Sequence, residues 1–134
     1  ADGNRGLFDP MFGSTRTGLG HVGVTGRRNI ECARIEMNMN PMQGMRWDSG
    51  VMISQLEEKR DALYDQLGAA LRKDPTGNSG RDIGFEAHSQ VSYAFCGHHE
   101  VSLEVAHFWG GDVVDASGTE SDATFAWAGY EFKF

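Results

Sequence analysis

Residues 124–134 read TFAWAGYEFKF, and alternate side chains of this stretch belong to two classes. One row is small at first and aromatic toward the chain end; it contains Thr124, Ala126, Ala128, Tyr130, Phe132 and Phe134. The other row is mixed and ends in charge; it contains Phe125, Trp127, Gly129, Glu131 and Lys133. A period of two residues predicts a β-strand whose faces meet different surroundings. The aromatic end of the first row is typical of a lipid-facing strand that reaches the membrane interface.

The same alternation recurs in four stretches upstream, at residues 33–40, 46–53, 82–95 and 99–106. The connections between these stretches alternate in length: short at 40–44, long at 56–80, short at 96–98 and intermediate at 110–121. Outer-membrane barrels have short periplasmic turns and longer external loops. The sequence therefore predicts an all-β protein, an antiparallel membrane β-barrel segment of about five strands with its C-terminus in the periplasm.

The long connection contains apolar residues at helical spacing, among them Leu56, Leu63, Leu67 and Leu71, before the Asp-Pro of residues 74–75. This spacing predicts a short helix. In a barrel the helix would lie in an external loop. The alternative is a soluble β-rich module that binds a ligand or carbohydrate, with the helix packed on the row of Val101, Leu103 and Val105.

Composition limits the remaining classes of function. The chain has 134 residues, which suits one domain, and a formal net charge of −7, which argues against a nucleic-acid partner. Its apolar runs are far shorter than the roughly 20 residues of a membrane helix. Its two cysteines, Cys32 and Cys96, fall near opposite ends of the predicted strands, so we expect both thiols to be free.

Several short motifs follow one another along the chain: Phe8-Asp9-Pro10-Met11-Phe12-Gly13, Arg28-Asn29-Ile30, Arg60-Asp61-Ala62-Leu63-Tyr64-Asp65, Asp74-Pro75-Thr76-Gly77 with Ser79-Gly80, and His107-Phe108-Trp109-Gly110-Gly111-Asp112. In combination they resemble the alginate export family. The resemblance implies an outer-membrane channel for an acidic polysaccharide, or a related porin for small polar solutes, without an enzymatic activity or a cofactor. It also implies that the outer-membrane assembly machinery recognises the C-terminal aromatic residues Tyr130, Phe132 and Phe134.

Five strands are too few to close such a barrel, because single-chain bacterial barrels have about eight strands or more. The chain begins at Ala1 without a charged and then apolar leader. We therefore expect residues 1–134 to be the C-terminal part of a single barrel domain that lacks upstream strands. Closure between several chains is the other possibility.

The row of side chains opposite the lipid-facing row is expected to line the channel. Its candidates are Arg34, Glu36, Arg46, Asp48, Glu86, His88, Glu104, Glu131 and Lys133. Mixed charges in a lumen either select the solute or pair with one another and stiffen the wall. The sequence does not separate these two roles.

Neither a metal site nor a catalytic site is predicted. His98, His99 and His107 have the residue type of metal ligands, but the period of two places His99 and His107 opposite Glu100 and Glu104. Glu86 and Glu104 fall on neighbouring strands and would suit a glycosidase pair, for which the sequence offers no second feature. Inward-facing charge is expected in a water-filled barrel in any case.

Overall fold

The computed structural model describes residues 19–118 and 122–134. In chain order its elements are β1 (Glu31–Met39), β2 (Met45–Gln55), β3 (Leu63–Tyr64), β4 (Ala70–Arg72), β5 (Asp82–Phe95), β6 (His99–Gly110), the helix α1 (Asp112–Asp115) and β7 (Ala123–Phe132). Five strands form one sheet in the order β1-β2-β5-β6-β7, and β3 and β4 form a separate hairpin. Every pair in the large sheet is antiparallel.

The five predicted strands are confirmed, and so is the all-β antiparallel class. Strands β5 and β6 pair in register from Gly84 with Gly110 to Phe95 with His99. The strand expected to end at Ala106 continues to Gly110. Within the described residues, β1 and β7 are the two edges of the sheet.

The short turns at one end of the sheet depend on left-handed backbone. Gly44 has φ +81°, and the turn from β5 to β6 contains Cys96 at +56° and Gly97 at +70°. Glycine adopts such angles without a steric cost, whereas Cys96 is an unusual occupant. The long connections all emerge at the opposite end, as the sequence predicts.

The prediction of a short helix within residues 56–71 is wrong. Leu63 lies in β3 and is buried, whereas Leu67 is 93% exposed in the turn between β3 and β4. The Asp65 carboxylate accepts the N–H groups of Leu67 at 2.9 Å and Ala69 at 2.7 Å, which holds a turn instead of a helix. The short helix α1 lies in the other long connection, between β6 and β7.

The core lies at the long-loop end, where the connections fold onto the ends of the strands. Its buried members are Leu56, Leu63, Ile83, Phe108, Val113 and Val114, and Val22, Val24, Ile30 and Ala123 pack against them. Strands β5 and β6 and both long connections therefore share one apolar cluster with residues 22–30. Arg72 Nη1 also donates to the Val114 carbonyl at 2.8 Å and links the two connections.

The described motifs that resemble the alginate export family are at this loop end. The Asn29 side chain donates to the carbonyls of Glu58 and Ala62, each at 3.0 Å, and accepts the Glu58 N–H at 2.7 Å. Asp74 accepts hydrogen bonds from the N–H and hydroxyl groups of Thr76 and Ser79. These motifs therefore hold the loops in shape. The motif at residues 8–13 lies outside the described residues.

Cys32 and Cys96 are free and exposed, as expected. Cys32 pairs with Ser54 at the long-loop end, and Cys96 lies in the short turn at the other end. In the described part of the chain, no helix has the length and apolar character needed to cross a bilayer.

Candidate functional site: the polar face of the sheet

One face of the five-stranded sheet, the polar face, contains most of the charged side chains of the strands. Register places Glu36, Gly50 and His88 side by side, and Gln90 beside Glu104. The strand residues predicted to line a channel all fall on this face: Arg34, Glu36, Arg46, Asp48, Glu86, His88, Glu104 and Glu131. Lys133 follows β7 and contacts the same face through Glu100 and Glu131.

The cations of this set lie beside carboxylates. Arg34 Nε is 2.9 Å from Glu36 Oε1, and Arg46 Nε is 2.8 Å from Asp48 Oδ2. Lys133 Nζ is 3.3 Å from Glu100 Oε2 at the short-turn end. The hydrogen bond to Glu100 and the charges of Glu100 and Glu131 raise the pKa of Lys133. Mutual pairing is therefore part of what these charges do.

Residues 19–26 lie across the polar face at the middle of β5 and β6. Gly20 is buried with φ +92°, and a Cβ there would meet the Glu86 carboxylate at 2.5 Å. Gly26 donates its N–H to the Tyr64 carbonyl at 2.8 Å, and a Cβ on Gly26 would clash with the Asp65 carbonyl. Glycine at these two positions permits the close approach.

Glu86 fastens this segment to β5. It is 2% exposed, and its two carboxylate oxygens accept the N–H groups of His21 at 2.5 Å and Val22 at 3.2 Å. Hydrogen bonds to a charged acceptor are worth about 1.5–3 kcal/mol. The buried carboxylate is thus satisfied by the backbone of a segment 64 and 65 residues away in sequence.

His21 brings a second side chain to the same place. Its ring stacks on His88 with centroids 3.8 Å apart, and its Nδ1 is 2.5 Å from Glu104 Oε1. His88 Nε2 is 3.6 Å from Glu36 Oε1 on β1. The imidazoles of His21 and His88 therefore lie where residues 19–26 cross the polar face. Three carboxylates from three strands lie beside them: Glu36 of β1, Glu86 of β5 and Glu104 of β6.

Residues 1–128 match the family model for alginate export. The chain belongs to the alginate export family. No curated protein and no solved structure matches it. The family comprises outer-membrane β-barrel transport channels, not enzymes, which agrees with the all-β antiparallel sheet.

The opposite face of the sheet in this member of the alginate export family, the apolar face, is not covered by any other part of the chain that the structure describes. Val101, Leu103 and Val105 are 38%, 59% and 55% exposed and point away from the rest of the described chain. A few polar side chains also lie on this face, and they bond to one another. Ser89 Oγ accepts hydrogen bonds from Trp47 Nε1 and Ser49 Oγ, each at 2.9 Å.

The three histidines considered in the sequence do not form a cluster in this member of the alginate export family. His99 Nδ1 contacts the Tyr130 hydroxyl at 2.5 Å, and His107 Nδ1 contacts Thr124 Oγ1 at 2.7 Å. His98 Nδ1 is 3.0 Å from the Lys133 carbonyl oxygen at the short-turn end. They lie on the apolar face or at the turn, apart from the glutamates.

Two residues of the site, His21 and Trp127, are not among the channel-lining candidates predicted from the sequence. His21 precedes the first strand and belongs to no periodic pattern, so nothing in the sequence connects it with His88. Trp127 is on the polar face opposite Glu104, and a Cβ on Gly129 would come within 2.2 Å of its ring. The alternation of residues 124–134 already places Trp127 in the row of Glu131, so the same signal could have made it a candidate.

Proposed function

We propose that the protein forms part of an outer-membrane channel through which a polysaccharide of the alginate type, or a small polar solute, passes. The observation that supports this proposal is the contrast between the two faces of one continuous sheet. A charged face opposite an uncovered aliphatic face suits a wall between water and lipid.

The orientation of the wall is inferred from its short turns, and its aromatic residues mark the membrane interface. At the short-turn end the apolar face displays Tyr130, Phe132 and Phe134, which are 62%, 52% and 108% exposed, together with Tyr93 and Phe95. Aromatic girdles mark the membrane interfaces of barrels, and short turns are periplasmic. We therefore assign this end and the C-terminus to the periplasm, and the last three aromatic residues of the row to recognition by the assembly machinery.

The two sheet edges support a larger barrel. Strands β1 and β7 each have one strand partner within the described residues. Unpaired backbone groups are costly in lipid, so a membrane sheet of this kind must close. We propose that residues 1–134 are the C-terminal part of one barrel domain whose further strands, from the same chain or from other copies, pair with these edges.

The solute is constrained by the charges of the polar face. Carboxylates outnumber cations there, and Arg34, Arg46 and Lys133 each lie beside a carboxylate. This part of the wall therefore offers an anionic polymer little net attraction. Residues 19–26 narrow the space over β5 and β6, so passage here depends on width as well as charge.

The soluble binding module is not favoured. It requires a helix that covers Val101, Leu103 and Val105, whereas residues 63–72 form a hairpin at the loop end and the three side chains remain exposed to the extent that the described residues allow. An uncovered aliphatic row would be a liability in water but suits a lipid-facing wall.

Single-channel recording tests the proposal. The complete barrel, with the strands that pair with β1 and β7, is purified in detergent, its folding is verified by different migration of boiled and unboiled samples, and it is added to a planar bilayer. Stepwise conductance that alginate oligosaccharides block in a concentration-dependent way is expected. Conductance blocked only by neutral oligosaccharides would contradict the alginate-type solute. A folded protein that gives no conductance would contradict the channel.

A further inference from the structure

A group of potential metal ligands lies where residues 19–26 cross the polar face. His21, Glu36 and His88 each offer one ligand atom, and the three atoms lie within 4.8 Å of one another. They come from the segment across the polar face, from β1 and from β5. His88 is 8% exposed, so its ring is held in a protein environment and not in bulk water.

The contacts of His21 and His88 place one ring nitrogen of each histidine where it can bind a metal ion. Glu104 contacts Nδ1 of His21, so Nε2 is the nitrogen free to coordinate. A histidine whose second nitrogen donates to a carboxylate is the usual arrangement around protein-bound zinc, because the carboxylate fixes the tautomer and the ring orientation. His88 presents Nε2 toward Glu36 Oε1 at 3.6 Å.

The distance between the ligand atoms of His88 and Glu36 is close to the distance between two ligands of one metal ion. Zinc binds imidazole nitrogen and carboxylate oxygen at about 2.0–2.2 Å, so two ligand atoms of a tetrahedral site are about 3.3 Å apart. The pair His88 and Glu36 is 3.6 Å apart and near that value. The ligand atom of His21 lies within 4.8 Å of both, so it needs a movement of up to about 1.5 Å, with a rotation that unstacks its ring from His88. Glu86 and Glu104 add negative charge beside the ligands, which favours a divalent cation.

We propose that His21, His88 and Glu36 bind a divalent transition-metal ion of the Zn²⁺ type, with Glu104 as the positioning residue of His21. The ion joins residues 19–26 to β1 and β5. Imidazole ligands favour Zn²⁺ over Ca²⁺ and Mg²⁺, which take oxygen ligands. The proposal stands apart from the channel function, because it requires neither conductance nor a particular solute.

Metal titration of the tag-free protein in detergent tests this site. After removal of bound ions with a chelator, Zn²⁺ is titrated by calorimetry, and Co²⁺ by visible absorption, which reports the coordination geometry. One ion per chain is expected, with Co²⁺ bands of a low-coordinate site. His21→Ala and His88→Ala should each abolish this binding, and Glu104→Gln should weaken it by about 10-fold or more.

His99→Ala and His107→Ala are the matched controls, since each removes a strand histidine outside the group and should leave binding unchanged. His21 lies outside the strands, so His21→Ala keeps the test valid if His88→Ala fails to fold. The absence of Zn²⁺ binding below about 1 mM, or binding that survives His21→Ala, would overturn the site. A protein that conducts but binds no Zn²⁺ would overturn this inference alone.

Discussion

Glu86 illustrates how one buried carboxylate positions a whole segment. Both of its oxygens are used by backbone N–H groups of residues 21 and 22. Glu86→Gln keeps the size of the side chain but removes the charge and turns an amide NH₂ group toward one of these donors. We expect residues 19–26 to lose about 2 kcal/mol of local stability, seen as roughly 30-fold faster hydrogen exchange.

Glu131→Gln is the matched control, because it neutralises an exposed carboxylate of the polar face that does not contact residues 19–26. Its exchange pattern in this segment should equal that of the wild type. Equal protection of residues 19–26 in Glu86→Gln and wild type would show that Glu86 does not hold the segment.

Gly84 and Gly97 differ in the space around them and so form a second matched pair. Gly84 has φ +143°, and a Cβ there would come within 2.2 Å of the Trp109 carbonyl oxygen. Gly97 has φ +70° with nothing within 4 Å of its Cβ position. We expect Gly97→Ala to cost about 1 kcal/mol and Gly84→Ala about 3 kcal/mol or more, measured by urea denaturation in detergent. Equal losses in the two variants would contradict the close backbone approach.

The residues of the polar face differ in whether the sequence predicts their position. Alternation alone assigns Glu86, His88 and Glu104 to one face, because side-chain direction in a strand follows residue number. It does not reveal that His21 reaches them, since that contact joins positions 65 or more residues apart through an irregular segment. The face could thus be predicted, and the cluster on it could not.

Among the structural elements, the loop between β2 and β5 depends on Asp74. Hydrogen bonds from the Thr76 hydroxyl, and then from the N–H and hydroxyl of Ser79, hold the pKa of Asp74 far below its ordinary value. A lowered pKa means that this stabilisation is complete above the unfolded pKa of about 4 and is lost only as the pH falls toward the lower, folded value.

We therefore expect proteolysis of residues 73–80 by proteinase K, which cleaves with little sequence preference, to show no step between about pH 5 and 8 beyond the pH dependence of the protease itself. Asp74→Asn should be cleaved several-fold faster throughout that range. Asp115→Asn, an exposed carboxylate in the other connection, is the control and should behave as the wild type. Unchanged cleavage of Asp74→Asn would contradict the proposed role of the carboxylate.

The two faces of the sheet make opposite predictions for the same substitution. Leu103 is 59% exposed on the apolar face, and Gln90 is at the same level on the polar face beside Glu104. Arginine facing lipid near the midplane costs about 2–4 kcal/mol, whereas a lumen position tolerates it. Leu103→Arg should reduce the folded, heat-modifiable fraction in outer membranes, and Gln90→Arg should not. Equal yields would argue against lipid contact at Leu103.

The loops were less predictable than the strands. Apolar spacing in residues 56–71 is compatible with a helix, but Asp65 and Gly68 form a tight turn, with Gly68 at φ +80°. Local side-chain hydrogen bonds compete with helix formation. The packing of Leu56 and Leu63 into the loop-end core depends on partners in β5, β6, α1, β7 and residues 22–30. Periodicity contains no information on such partners.

At the scale of the whole molecule, one sheet has a charged face and an aliphatic face that the described residues leave uncovered. A small apolar core packs at its long-loop end. The strand order and the alternation of short and long connections were predictable, because consecutive antiparallel strands need only local pairing. The proposed closure into a barrel was not predictable in detail, because the width of such a barrel would be set by the strands that we propose to pair with β1 and β7.

The central claim is that the apolar face meets lipid and the polar face meets water. Its most direct test is labelling of single cysteines in intact outer membranes, with Cys32 and Cys96 replaced by serine. Leu103→Cys should react with a lipid-soluble probe and resist a membrane-impermeant maleimide, and Gln90→Cys should show the reverse pattern. Reaction of Leu103→Cys with the impermeant reagent at the rate of Gln90→Cys would contradict the account.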